Sequence, residues 1–186
     1  YPGTVMLEGT TLSEGRGTTR PLELFGTPDL DSSLWLAEMQ RLAPQWLRGC
    51  KLRSCWFEPT FHKHVGRLCA GLQVHVDDAS YDHAVFQPWR LQALAFKALR
   101  QLRPDYDLWR DFPYEYEHGR LAIDLINGSE LLRQWVDDPH ATAADLGREG
   151  PDVDDDDVDG TQVACEQVGH VGRDVAARQD AGVDGG

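Results

Sequence analysis

The chain has 186 residues, enough for one ordinary domain, and carries a formal net charge of −13. Fourteen of its 31 acidic residues lie in residues 137–186, where the basic residues are Arg148, Arg173 and Arg178, so residues 1–136 are almost neutral. A near-neutral body lacks the basic surface that binds nucleic acid, and no apolar run approaches the roughly 20 residues that span a bilayer. We therefore expect no nucleic-acid partner and no membrane span.

The chain begins with a short apolar run and a loop rich in glycine. Val5, Met6 and Leu7 predict the end of a buried strand, and residues 8–21 follow with three glycines, two glutamates, two arginines and five hydroxyl side chains. Glycine lets backbone N–H groups approach a ligand, arginine matches a carboxylate, and paired carboxylates serve glycosidic chemistry. We call residues 8–21 the glycine-rich loop and treat it as the first candidate site, because α/β proteins place ligands at strand ends.

Helices and strands are predicted in alternation after this loop. The candidate N-caps of a helix that ends near Pro44 are Asp31 and Ser32–Ser33. The apolar positions of this helix are Trp35, Leu36, Met39 and Leu42. Residues 50–57 predict a strand, and 72–76 predict another whose inward side chains are Leu72, Val74 and Val76.

The strongest helical pattern begins at Pro88 and ends at Leu102. Apolar residues recur there at helical spacing, at Leu91, Leu94, Ala95, Ala98, Leu99 and Leu102. Residues 121–126 predict a further strand, in which Asp124 is expected to be buried with a partner. A helix capped by Ser129 and running to Val136 follows. This alternation indicates an α/β or α+β body.

Composition changes near Gly147. Aromatic residues are absent beyond this point, and Asp, Gly, Val and Ala dominate. Such a segment cannot bury enough apolar surface to offset its ordering entropy, so we expect it to be disordered.

Histidines and cysteines raise the question of a metal site. His62, His64, Cys69 and His75 are ligand types, but their spacing matches no standard zinc pattern. We expect a polar contact facing a cleft for His64 and a structural hydrogen bond for His75. The four cysteines are expected to be buried free thiols. Neither a dinucleotide fingerprint nor a Walker motif is present, so no metal and no cofactor is predicted.

Three segments carry a resemblance to a known family. They are YPGTVMLEGTTLSEGRGTTRPLELFGTP, FEPTFHKHVGRLCAGLQVHVDD and YEYEHGRLAIDLINGS, in this order along the chain. The chain resembles the NamZ-like exo-β-N-acetylmuramidases, a glycoside hydrolase family formerly catalogued as a domain of unknown function. The resemblance covers about residues 1–140. Where the family usually has Asn after the EGT motif, this chain has Thr11.

The resemblance implies a division into three parts. Residues 1–28 would be the end of a Rossmann-like catalytic domain, 29–140 a smaller α/β C-terminal domain, and 141–186 a disordered acidic tail. The family releases N-acetylmuramic acid from the non-reducing ends of peptidoglycan fragments, outside the cytoplasm. Its principal carboxylates lie in motifs upstream of the glycine-rich loop. We therefore expect a C-terminal fragment with little or no hydrolytic activity of its own.

The resemblance also implies a set of substrate-binding residues. Glu8 and Glu14 are supporting catalytic candidates, and Arg16 or Arg20 would bind the lactyl carboxylate of a muramyl sugar. The full set is Glu8, Thr10, Thr11, Ser13, Glu14, Arg16, Thr18, Thr19, Arg20, His64, Tyr114 and Glu115.

Alternatives remain open for these residues. The glycine-rich loop could be a capped turn whose arginines pair with Glu8, Glu14 or Glu23. Residues 114–117 could supply a sugar-stacking tyrosine and a carboxylate, or could form an exposed strand edge. The chain as a whole could be a non-catalytic module that binds cell-wall sugars.

Overall fold

A three-stranded antiparallel sheet forms the centre of the fold. The computed structural model describes residues 1–77, 79–114 and 116–146. The strands are β1 (Leu24–Thr27), β2 (Lys51–Phe57) and β3 (Cys69–His75), in the order β1-β3-β2. Phe25 pairs with Leu72, and Trp56 pairs with Ala70. The mixture of helices and strands that the sequence predicts is confirmed.

The helices are α1 (Ser32–Leu42), α2 (Pro88–Leu102), α3 (Ala122–Asn127) and α4 (Leu131–Asp137). Short 3-10 helices span Thr4–Gly9 and Pro44–Leu47. Of the candidate N-caps, Asp31 caps α1, because its Oδ1 accepts hydrogen bonds from the backbone N–H groups of Ser33 and Leu34 at 2.9 and 3.1 Å, while Ser32 and Ser33 lie inside the helix. Among the described helices, none is long and apolar enough to cross a membrane.

The main core lies between the sheet and helices α1 and α2. Phe25 of β1 meets the edge of Trp35 of α1, with ring centroids 5.3 Å apart. Trp35 in turn donates its indole N–H to the carbonyl of Ala95 on α2, at 2.8 Å. Helix α2 has the predicted bounds, but it is buried on all sides from Leu91 to Leu99, and Leu102 is exposed rather than inward.

The first strand prediction is wrong. Thr4–Gly9 forms a 3-10 helix, with Met6 and Leu7 fully buried against helices α2 and α3. A run of only three apolar residues has too few positions to distinguish a period of two from a helical period. Tertiary packing of the buried side chains therefore decided the local conformation.

The prediction of a strand at residues 121–126 is also wrong. Helix α3 occupies this segment and ends at Gly128, whose φ of 81° provides a left-handed C-cap. Asp124 is buried with a partner, as predicted, because Arg133 makes a bidentate contact with it. Ser129 does not cap α4, since the N-cap residue is Glu130; the Ser129 hydroxyl instead accepts from Asn127 at 3.3 Å.

Strand β3 is longer at its start than the predicted 72–76. Leu72 is buried and Val74 half-buried, but Val76 lies beyond the strand and is exposed, so its inward assignment is wrong. Residues Cys69–Gln73 are buried on both faces, which explains why alternation alone misplaced the strand.

Some predictions fall partly or wholly outside the described residues. Cys50, Cys55 and Cys69 are free thiols, as predicted, but of these three Cys69 is buried and Cys50 and Cys55 are half-buried. Burial raises the pKa of Cys50 and Cys69 to about 11. The predictions for Cys165, for Glu115 and for the tail beyond residue 146 lie outside the described residues. The boundary at residue 28 stays a prediction; in the structure, β1 joins residues 1–28 to the sheet formed by later strands.

Candidate functional site

The first half of the glycine-rich loop is built into the fold by backbone hydrogen bonds. Ser13 and Gly26 of β1 exchange two bonds, of 2.8 and 3.0 Å. The buried Thr10 hydroxyl donates to the carbonyl of Leu7 at 2.9 Å, and the Ser13 hydroxyl accepts from the N–H of Gly15 at 3.1 Å. Thr10 and Ser13, two of the predicted substrate-binding residues, thus hold the loop's own backbone.

At the centre of the loop lies a buried carboxylate, that of Glu14, whose side chain is only 1% exposed. Its Oε2 lies 2.7 Å from the ammonium of Lys63, and its Oε1 accepts a hydrogen bond from Nε of Arg16. The imidazole of His62 stands 3.6 Å from Oε1. A carboxylate removed from water needs such partners, because an unpaired buried charge is strongly unfavourable.

Lys63 links the connection between β2 and β3 to the glycine-rich loop and to the 3-10 helix that precedes it. Its ammonium donates to the carbonyls of Leu7 and Thr10, at 2.7 and 3.2 Å, in addition to contacting Glu14. Two hydrogen bonds and one ion pair of a single ammonium therefore hold the backbone of Leu7, the backbone of Thr10 and the buried carboxylate of Glu14 together. Burial lowers the pKa of Lys63 to about 8, and the attraction of Glu14 offsets only part of this effect.

The protonation of Glu14 follows from the same contacts. Burial alone would raise the pKa of Glu14, but the charges and hydrogen bonds of Lys63 and Arg16 outweigh it, so the pKa is lowered. Glu14 is consequently ionised at neutral pH. A general acid for glycoside cleavage requires the opposite shift, toward a raised pKa.

Glu8, Arg16 and Tyr114 form the accessible edge of the cluster. Nη2 of Arg16 lies 3.2 Å from Oε1 of Glu8, and the Tyr114 hydroxyl donates to Oε2 at 3.3 Å. The side chains of Arg16 and Glu8 remain 35% and 29% exposed. The internal pairing of Arg16 with Glu8 and Glu14, one of the two alternatives for this loop, is therefore present, and these two side chains still reach the surface.

A pocket of about 310 Å³ lies beside the loop, around Thr11 and His64. His64 Nε2 is 2.9 Å from the carbonyl of Thr11 and 3.4 Å from the Thr27 hydroxyl. Because a carbonyl only accepts, this ring nitrogen carries the hydrogen. Burial lowers the pKa of His64, so the ring is neutral at pH 7. Tyr106 completes the network, donating its hydroxyl to Thr27 at 2.9 Å.

The far end of the loop lies away from the ion pairs. Arg20 pairs with Glu23 at 3.1 Å on the surface, and Thr19 is exposed. The Thr18 hydroxyl donates to the carbonyl of Gly15 at 2.6 Å. The structure thus groups Glu8, Glu14 and Arg16, and it does not bring Arg20 to them.

The candidate metal ligands point in different directions. His62 faces Glu14, His64 faces Thr11, and Cys69 is buried in a small apolar cluster with Leu24 and Phe57. His75 Nδ1 lies 3.4 Å from Asp77. No group of three or more potential metal ligands occurs among the described residues.

Tyr114 and Glu117 face each other in an isolated antiparallel bridge. The backbones of Tyr114 and Glu117 exchange two hydrogen bonds, of 3.2 and 2.9 Å. Tyr116 has a φ of 68° and is almost fully exposed, while the Tyr114 hydroxyl turns back to Glu8. Of the two tyrosines in this segment, Tyr114 therefore contacts the cluster and Tyr116 is exposed.

Lys63 and Tyr106 are the functional candidates that sequence reasoning did not select. Lys63 carried a signal, because it lies inside the second of the three recurring segments, between two histidines. Tyr106 carried none, since it lies outside all three segments. Both residues act across long sequence separations, which no local pattern reveals.

Comparison with known proteins identifies the family. The family described as exo-β-N-acetylmuramidase NamZ, C-terminal, matches residues 1–149. The chain belongs to this family, and the resemblance drawn from its three segments is confirmed.

Two relatives define how far the likeness extends. The chain is 45% identical over 85 residues to the peptidoglycan β-N-acetylmuramidase NamZ of Bacillus subtilis (strain 168), a match that covers 46% of this chain and 20% of that protein. It also superposes on the crystal structure of a DUF1343 family protein from Bacteroides fragilis NCTC 9343, with a TM-score of 0.59 and 22% identity, over 75% of this chain and 34% of that one. The second likeness shows the fold alone, and the match to the first spans about a fifth of that relative's length.

Proposed function

We propose that this chain is the C-terminal part of an exo-β-N-acetylmuramidase and that its glycine-rich loop binds a muramyl sugar of peptidoglycan. Membership of the NamZ C-terminal family supports the substrate class. The observation that carries the proposal is the accessible edge formed by Glu8 and Arg16, which are paired with each other beside the buried Glu14 of the same loop. Charged groups on a rigid support are what recognition of a small polar ligand requires.

Each group on this edge has a role that its chemistry permits. The Arg16 guanidinium, already held by Glu8 and Glu14, would bind the lactyl carboxylate that distinguishes muramic acid from glucosamine. Glu8 would accept from a sugar hydroxyl or amide N–H. Holding the guanidinium in advance reduces the entropy lost on binding.

We propose a positioning role for Glu14 and not proton transfer. Its two oxygens contact Lys63 and Arg16, and its lowered pKa leaves no proton to give at neutral pH. Cleavage by this family chemistry needs two carboxylates flanking the glycosidic bond. We propose that the cutting groups lie outside this chain, as expected from the resemblance, and that the chain acts outside the cytoplasm.

A non-catalytic module that binds cell-wall sugars is the second candidate. The ionised state of Glu14, buried against the charges of Lys63 and Arg16, favours it for the chain alone. A chromogenic N-acetylmuraminide separates the two functions, since release of the chromophore requires catalysis and binding alone does not. We expect binding with little or no release; measurable turnover by the 186-residue chain would contradict this expectation.

Binding of the muramyl sugar is tested by titration with two methyl β-glycosides, of N-acetylmuramic acid and of N-acetylglucosamine, followed by NMR. Arg16→Ala should weaken binding of the muramyl glycoside and remove the preference over the glucosamine glycoside. Arg20→Ala is the matched control, because Arg20 pairs with Glu23 at the surface, and it should bind as the wild type does. No preference for the muramyl sugar in the wild type, or its persistence in Arg16→Ala, would contradict the proposal.

A further inference from the structure

The connection between β2 and β3 is unusually well anchored for an exposed loop. The N–H of Thr60 donates to the carbonyl of Arg16 at 3.1 Å, and the N–H of Gly66 donates to the carbonyl of Pro59 at 2.9 Å. Lys63 fixes its centre through the contacts with Glu14 and with the carbonyls of Leu7 and Thr10. The backbones of His62 and His64 have φ values of 69° and 57°, which residues other than glycine rarely adopt. Strain of this kind persists only where surrounding contacts enforce it, and it concentrates at functional sites.

This anchored loop presents an aromatic ring to solvent. Phe61 is 56% exposed and belongs to neither apolar core cluster. An added β-carbon at Gly17 would stand 3.0 Å from Cδ1 of the ring, so one edge of the ring lies near Gly17. The fold thus holds Phe61 beside the residue that follows Arg16, without burying it.

The residues adjacent in sequence to Gly17 and Phe61 include charged and polar ones. Arg16 and its carboxylate partners lie on the side of the glycine-rich loop, and the adjacent His62 faces Glu14. An aromatic ring beside charged hydrogen-bonding groups matches the two surfaces of a pyranose, which has an apolar C–H face and a rim of hydroxyl groups.

We propose that Phe61 is the stacking platform of the sugar site, with the apolar face of a bound pyranose ring lying on the phenyl ring while Arg16 and Glu8 contact its polar rim. This inference rests on the proposed sugar binding and extends it to a residue outside the glycine-rich loop. Because the loop is anchored before the ligand arrives, little conformational entropy is lost when the ring is covered.

Stacking on Phe61 and charge recognition by Arg16 predict different losses of sugar affinity when each residue is replaced. Phe61→Ala should weaken binding of the methyl β-glycosides of N-acetylmuramic acid and N-acetylglucosamine alike, by about three- to tenfold, and leave the preference between them unchanged. Phe61→Trp should retain the affinity of the wild type. Arg16→Ala, by contrast, should weaken the muramyl glycoside selectively.

Trp56 provides the matched control. It is 66% exposed and lies in the sheet ladder opposite Ala70, so Trp56→Ala removes a comparable exposed ring from β2. Trp56→Ala should bind both sugars as the wild type does. Equal losses in Trp56→Ala and Phe61→Ala would contradict a platform at Phe61 and would indicate a general apolar docking surface instead.

The outcomes separate this inference from the proposed function. If the wild type binds neither glycoside, the proposed function fails and the inference fails with it. If the wild type binds the muramyl glycoside and Phe61→Ala binds it equally well, the inference alone is overturned. A melting curve of each variant confirms that it is folded, which we expect because the Phe61 ring lies outside both cores.

Discussion

The carboxylate of Glu14 contacts the ammonium of Lys63 at 2.7 Å, and both side chains are buried. This ion pair joins the glycine-rich loop to the connection between β2 and β3, which carries Phe61 and His62. The accessible edge at Arg16 therefore contacts a buried charge pair, which solvent screens only weakly. A ligand bound at this edge would meet groups that are already in place.

Removing either member of the pair should destabilise the fold strongly. Lys63→Met leaves Glu14 buried without its ammonium, and Glu14→Gln leaves the ammonium without its carboxylate, so each should lower the free energy of unfolding by about 3 kcal/mol. The double variant should lose much less free energy of unfolding than the sum of the two single losses. Urea denaturation of the four proteins measures the coupling, and additive losses would contradict a direct pair.

Glu14 should also contribute to acid sensitivity. Its folded pKa is lowered, so on acidification the unfolded chain takes up the proton first. The stability that Glu14 contributes is therefore present above its ordinary pKa, near 4.5, and is lost as the pH falls through the folded pKa. Melting curves between pH 3 and 7 should show a shallower pH dependence for Glu14→Gln than for the wild type. Equal slopes in the two proteins would contradict the lowered pKa.

Gly17 should be far less replaceable than Gly66, although both have positive φ, of 81° and 68°. A β-carbon at Gly17 would lie 1.8 Å from the hydroxyl oxygen of Thr60, whereas nothing lies within 4 Å of one at Gly66. Gly66→Ala should cost about 1 kcal/mol, the penalty of the left-handed conformation. Gly17→Ala should cost about 1–3 kcal/mol more, because it displaces the anchored loop. Equal midpoints in urea would show that the two loops do not pack as described.

Asp124 and Arg133 supply a second buried pair, remote in chain position from the loop. Two guanidinium nitrogens of Arg133 donate to the carboxylate of Asp124 at 2.9–3.0 Å, and the same guanidinium meets the exposed Glu130 at 3.2 Å. Asp124→Asn should lower the free energy of unfolding by about 2 kcal/mol, since it leaves a half-satisfied buried contact. Glu130→Gln, the control on the same arginine, should cost under about 0.5 kcal/mol. Similar losses in thermal unfolding would contradict the assignment of Asp124 as the structural partner.

Sequence patterns located the long elements of the fold and misassigned the short ones. Helix α2 could be predicted to the residue because fifteen residues hold several helical turns between Pro88 and Pro104. Thr4–Leu7 and Leu121–Ile126 are too short for either period to be distinguished, and both are helical. In a short segment the spacing of apolar residues is compatible with both a strand and a helix, and packing against the rest of the fold determines which one forms.

The candidate site could be predicted only in part, for a related reason. Glu8, Glu14 and Arg16 lie close together in the sequence, so their composition marked the loop. The contact of Lys63 with Glu14 depends on the fold that brings two distant loops together. Exposure of Phe61 is likewise a property of the folded chain, because an aromatic residue in a sequence is more often part of the core.

The central claim, that the glycine-rich loop binds a muramyl sugar, is tested most directly by mapping the ligand on the protein. The isotope-labelled 186-residue chain would be titrated with the methyl β-glycoside of N-acetylmuramic acid while its backbone amide signals are followed by NMR. We predict saturable shifts at residues 8–20 and 60–64, together with Tyr114. Shifts that are absent at saturating sugar, or that are confined to residues outside these segments, would contradict the account.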